Sequence, residues 1–236
     1  MNPLQILIVV TSHGAMGSTG ETTGLWLEEL TTPYYAFVDA GAAVTIASID
    51  GGIVPVDHRS QKPIGENEKS VDRFLQDESA AVAIQNTPTV DNIDSSQYDA
   101  IFLPGGHGTM WDLPQSQSLA TIISQAYAQN KVVAAVCHGP AGLISATKPD
   151  GSPLVAGHQI SAFTNSEEHA VGLADTVPFM LETKLQELGA TFQGVNNFEP
   201  FAVESGNVIT GQNPPSSLLV ANKVLAALKA KVSVQE

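Results

Sequence analysis

Cys137, the one cysteine in the chain, is followed directly by His138 and stands between Ala135 and Gly139, each two positions away. A sulfur nucleophile beside an imidazole suits acyl transfer or addition to a carbonyl. Small residues at those two offsets match the spacing of a G-x-S-x-G elbow, where strand and helix pack closely beneath an exposed nucleophile. A lone cysteine after an apolar run is also a common core residue, and the elbow spacing with adjacent His138 favours a functional thiol. A helix N-terminus next to the sulfur would favour thiolate over thiol.

The remaining parts of such a site are an acid to orient the base and N–H donors for an oxyanion. Glu167 and Glu168 follow the next apolar run, and Gly105, Gly106 and His107 stand in the glycine-dense stretch Pro104-Gly105-Gly106-His107-Gly108. His13, His58, His107, His158 and His169 compete with His138 for the role of base. Placing residues 25–38 at 100° intervals puts Leu25, Trp26, Leu27 and Leu30 on one face, with Glu28 nearly opposite and Glu29 on the flank. Glu28 is therefore expected to face water and Glu29 to be drawn partly inward. No HxxxH or CxxC is present, so no metal is expected. The glycines lack G-x-G-x-x-G spacing, which rejects a dinucleotide site.

The elements that must position these residues alternate. Residues 4–11, 44–49, 98–103 and 132–136 read as strands, unbroken apolar runs that suit burial on both faces of a parallel sheet. Further strands are expected at 159–163 and at 202–209, the latter a pair turning around Gly206. Helices are expected at 25–38, with Pro33 bending or breaking it, and at 70–85, 119–128, 141–146, 177–188 and 216–231. This is one α/β domain, a flavodoxin-like, doubly wound, mostly parallel sheet flanked by helices, whose ligands gather at the carboxyl ends of the strands. Residues 147–157, with Pro149, Gly151 and Pro153, read as a flap or hairpin that tunes specificity.

Composition bounds the function. The 236 residues are 43% hydrophobic and carry 10 basic against 24 acidic side chains, a formal charge of −14, which argues against nucleic acid and anionic membrane as partners. One cysteine and no long apolar leader point to a reducing cytoplasm.

Residues 134–140 with 104–108 and Thr23-Gly24-Leu25-Trp26-Leu27-Glu28-Glu29 resemble the ThiJ/PfpI superfamily, within the class I glutamine amidotransferase-like fold. More narrowly, they are similar to the heat-shock-type branch that includes the glutathione-independent glyoxalase III enzymes, or D-lactate dehydratases. The similarity extends to residues 177–182 and 210–214. It implies Cys137 as nucleophile, His138 as its histidine, Glu29 as the buried acid near the thiol, Glu168 as the partner of His138, and the N–H groups of Gly106 and His138 as the oxyanion site. It further implies a small 2-oxoaldehyde substrate, no cofactor, and a homodimer. Alternatives from other classes are a holdase chaperone, a redox-sensing thiol protein, and a cysteine peptidase or amidase. No histidine follows His169, so the late His-x-Glu motif of a working glutamine amidotransferase is missing.

Overall fold

The apolar runs pair into a six-stranded sheet in a computed structural model that describes residues 3–235. In chain order the elements are β1 (Gln5–Val10), α1 (Leu27–Asp39), β2 (Ala43–Ser48), α2 (Lys69–Gln76), α3 (Glu78–Ala83), β3 (Ala100–Leu103), α4 (Thr109–Asp112), α5 (Gln117–Ala128), β4 (Val132–Val136), β5 (Gln159–Ile160), α6 (Asn165–Ala170), α7 (Leu181–Glu187), β6 (Thr191–Phe192), β7 (Ala202–Ser205), β8 (Val208–Gly211) and α8 (Ser217–Gln235). Strand order is β2-β1-β3-β4-β8-β7, parallel except for the β7–β8 hairpin.

Alternate residues of each run serve opposite faces. Ile6, Ile8 and Val10 enter one core with α1 and α8, while Leu7 and Val9 enter another with α5 and α7. The period of two in side-chain direction makes a continuous apolar strand bury both faces. The expected doubly wound architecture is therefore observed.

Several elements differ from expectation. Helix α1 runs unbroken through the buried Pro33, because Leu27, Leu30, Tyr35 and Phe37 anchor it on both sides of the proline. The helix expected over 70–85 is divided at Asp77, whose carboxylate accepts the Ala80 N–H and caps α3. The strand expected at 159–163 shrinks to β5, which pairs with β6 in a separate two-stranded sheet. After β4 the chain enters a 3-10 turn at Gly139–Leu143 instead of a helix over 141–146. Residues 147–157 form a turn closed by a Thr147–Pro153 bridge, with Leu154 and Val155 buried in the core. Among the described residues, no helix is long and apolar enough to cross a membrane.

Strand order decides what meets at the sheet edge. Strand β4 lies between β3 and β8, with Leu103 opposite Ala135 and Val136 opposite Gly211. Cys137 and the Pro104–Gly106 segment therefore leave neighbouring strands at the same level.

Candidate active site

Cys137 has φ of 60°, a left-handed conformation that a side chain rarely adopts. Two hydrogen bonds hold it there, from its N–H to the Gly211 carbonyl (3.0 Å) and from the Phe163 N–H to its own carbonyl (2.8 Å). The expected elbow is thus built, and strain of this kind concentrates where a side chain must be aimed. Gly139 is obligatory beneath it, since a Cβ there would collide with the Leu103 carbonyl.

His138 Nδ1 lies 3.3 Å from Cys137 Sγ, and its Nε2 lies 2.7 Å from Glu168 Oε2. Of the competing histidines, His107 joins the same group, its Nε2 2.8 Å from Glu168 Oε1 and its ring 4.1 Å from that of His138. The other four histidines stand apart from this cluster. His13 stacks on Trp111, and His158 bridges Tyr127 and Ser205. One carboxylate accepting from two Nε2–H groups fixes the tautomer of both rings, leaving His138 Nδ1 as a lone pair facing the thiol.

Burial and the neighbouring rings act on Glu168 and His107 in opposite senses. Burial acts to raise the Glu168 pKa, but His138 and hydrogen bonds from both rings outweigh it and hold the carboxyl well below its usual range. Burial first, and His138 second, push the His107 imidazole down to about 4. The His107–Glu168 contact is therefore a hydrogen bond from neutral imidazole to carboxylate. The ligand atoms of His107, His138 and Glu168 lie within 4.8 Å of one another, close enough to share a metal ion. Their Nε2 and carboxylate positions are here engaged in mutual hydrogen bonds.

Glu167, the other acid of the pair, is equally buried but turned away. Its Oε1 accepts from the Phe198 N–H (2.8 Å), Gln212 Nε2 (3.1 Å) and Asn213 Nδ2 (2.8 Å), and its Oε2 accepts from the Thr164 N–H (2.9 Å) and hydroxyl (3.2 Å). It completes a capping box at the start of α6.

Glu29 is fully buried, deeper than its helix position suggested. Its Oε2 accepts the Gly105 N–H at 2.7 Å, Oε1 has no hydrogen-bond partner, and the Cys137 thiol acts on the same carboxyl. Burial raises the Glu29 pKa well above the usual value, against the opposing pull of Cys137 and Gly105. Burial thus favours the neutral acid, and Oε1 is the oxygen left open for its proton. The Cys137 thiol is also pushed well up, by burial first and then by Glu29. This corrects the expectation of a resting thiolate: the element after the elbow is a five-residue 3-10 turn, and desolvation outweighs whatever its N-terminus contributes. Glu28 is half-buried instead of facing water, and burial with the nearby Glu68 charge pushes it up to about 7.

Gly105 was expected among the oxyanion or substrate-binding groups, but its N–H is committed to Glu29. A Cβ at Gly105 would stand 2.6 Å from Glu29 Oε2 and 2.7 Å from the His138 nitrogen, so its role is close packing. Gly106 (φ 97°) leaves no room for a Cβ, which would collide with the Gly24 carbonyl. The N–H groups of Gly106 and His138 have no acceptor in the hydrogen bonding of the described residues. Thr109 Oγ1 ties the two loops together through the carbonyls of Gly106 (2.8 Å) and His138 (3.2 Å).

Cys137, His138, His107, Glu29 and Gly106 line a cavity of about 350 Å³. Sequence reasoning missed its other walls, among them Trp26, Arg59, Phe163 and Phe198. Arg59 is held by Asp57 through Nε (2.9 Å) and Nη2 (2.7 Å). Residues 147–157 contribute nothing to this lining, which corrects the expectation that they tune specificity. The walls come from chain segments far apart in sequence, and their one local signal is aromatic or proline residues beside the motifs.

The chain is 32% identical to a glutathione-independent glyoxalase of Schizosaccharomyces pombe over 98% of each sequence. It is 30% identical to the solved structure of glyoxalase III from Candida albicans, with a TM-score of 0.85, covering 95% of this chain and 97% of that one. The rapid encystment protein of Francisella tularensis superposes with a TM-score of 0.91 at 37% identity, over 95% of this chain and 99% of that chain. Residues 23–227 match the DJ-1/PfpI family, and with that match the elbow, the buried acid and the histidine beside the thiol identify the chain as a member of the DJ-1/PfpI family.

Proposed function

We propose that this protein is a glutathione-independent glyoxalase that converts methylglyoxal, or a related 2-oxoaldehyde, and water to D-lactate or the matching 2-hydroxy acid. The observation that carries this reading is the Cys137 thiol set 3.3 Å from His138 Nδ1, with the fully buried Glu29 carboxyl, whose neutral form burial favours, lining the same cavity. The names of full-length relatives support it.

Proton positions allow a balanced route with no cofactor. His138 Nδ1 takes the thiol proton, Sγ adds to the aldehyde carbon, and the new oxyanion, held by the N–H groups of Gly106 and His138, receives the Glu29 proton. Glu29, now a carboxylate, removes the hydrogen from that carbon while His138 protonates the keto oxygen, giving an enediol. Glu29 returns its proton to the second carbon and His138 takes the hydroxyl proton of the first, leaving a thioester on Cys137. Water then attacks the thioester, its proton passes to Glu29, and His138 reprotonates the departing sulfur. Every group ends as it began. Glu168 stabilises His138 whenever it is charged.

A second reading as a redox-sensing thiol is disfavoured by two properties: Cys137 is 4% exposed and its thiol is raised, whereas sensor cysteines are accessible and acidic. The homodimer and cytoplasmic setting belong to the same proposal and are checked by light scattering and fractionation. The central test is conversion of methylglyoxal to lactate without glutathione, with lactate resolved by chirality. Cys137-dependent D-lactate is the expected result; L-lactate, or turnover by Cys137→Ala, would overturn the mechanism.

A further inference from the structure

We infer that the site prefers 2-oxoaldehydes carrying an apolar, aromatic-sized group on the keto carbon, and that Phe198 is the residue that selects them; this rests on the glyoxalase reading. The cavity volume of about 350 Å³ falls in the range of ~300–1,000 Å³ that takes drug-sized ligands, and a three-carbon aldehyde fills a small part of it. Beyond the reacting groups and Arg59, whose guanidinium is paired with Asp57, its walls are Trp26, Phe163, Val171, Phe198, Pro214 and Pro215, an apolar stretch suited to a hydrocarbon substituent. An aromatic wall leads outward from the base: the Phe163 ring lies 4.5 Å from His138, and the Phe198 ring 6.4 Å from Phe163.

Phe198 is built into this position. It is 46% exposed yet held at φ 62°, a conformation that a phenyl-bearing residue avoids. Burial of its side chain cannot account for that backbone. What holds it is the hydrogen bond from its N–H to Glu167 Oε1, and the same oxygen accepts from Asn213, the residue before Pro214 and Pro215. Glu167 is therefore a positioning residue that sets two cavity walls from one buried carboxylate. An outlier maintained at a cavity wall by a buried acceptor that also fixes the neighbouring wall is what a selectivity element requires.

The test measures binding apart from turnover. Calorimetry with the Cys137→Ala protein compares 2-hydroxyacetophenone with hydroxyacetone, ketone analogues that lack the aldehyde. The expected result is at least tenfold tighter binding of the phenyl compound, falling to threefold or less when Phe198→Gly is added. Glycine relieves the left-handed backbone, so the melting temperature should hold or rise. Should that variant fail to fold, Phe198→Leu serves, with an intermediate preference expected. Equal affinity for the two ketones, or a preference that survives the Phe198 substitutions, would overturn the inference. In wild type the kcat/KM ratio of phenylglyoxal to methylglyoxal should follow the binding ratio. If neither aldehyde is turned over while the binding preference holds, the glyoxalase reading falls and the selectivity of the cavity stands.

Discussion

Glu167 and Glu168 are consecutive residues of α6 whose carboxylates enter different networks: Glu168 joins the two imidazoles at 2.7 and 2.8 Å, and Glu167 gathers five donors that fix the cavity wall. Successive helical residues point about 100° apart, so one turn of chain can serve two sides of a site.

Glu168→Gln should leave the protein folded and cut kcat by roughly 10³–10⁴-fold, the scale seen when the acid behind a catalytic histidine becomes an amide. The new NH₂ would face an Nε2–H and force one imidazole into the other tautomer. Steady-state kinetics with a melting curve on the same sample separates this from unfolding.

The same carboxylate gives wild type an acid-side stability dependence. Its folded pKa is lowered from the ordinary 4.5, so its contribution is fully present above that value and is lost as pH falls through the folded value. Melting temperature should fall below about pH 4.5 more steeply in wild type than in Glu168→Gln.

Glu29 has the opposite sign. Its folded pKa is raised, so the unfolded chain gives up its proton first and stability is lost as pH rises from 4.5 toward the folded value. Glu29→Gln, which keeps the neutral shape, should therefore gain on wild type in melting temperature as pH rises above about 4.5. Its turnover should fall by ~10²–10⁴-fold because the amide cannot shuttle a proton. Wild-type turnover in Glu29→Gln would remove the residue from the proton relay.

Glu167→Ala should be the more damaging to stability. It strands buried donors from Phe198, Gln212, Asn213 and Thr164, a loss on the order of 3–5 kcal/mol. For a chain of this size that lowers the melting temperature by roughly 6–20 °C, readable by calorimetry. A shift of a degree or less would mean that other groups hold these walls.

The local pattern of the chain was enough to determine the alternating elements, the elbow at Cys137 and the inward side of Glu29. Each follows from side-chain periodicity or from glycine and proline at a turn, and those operate over a few residues. The family resemblance, not the local pattern, points to Glu168 as the partner of His138, and the fold sets its carboxylate 2.7 Å from Nε2; tertiary structure alone decided that the Gly105 N–H belongs to Glu29 and that β5 leaves the central sheet. It also decided that the thiol is raised and that Arg59, Phe163 and Phe198 wall the cavity. Desolvation and hydrogen-bond competition sum over everything within a few ångströms, whatever its distance along the chain, and those neighbours are chosen only when the strands take their order.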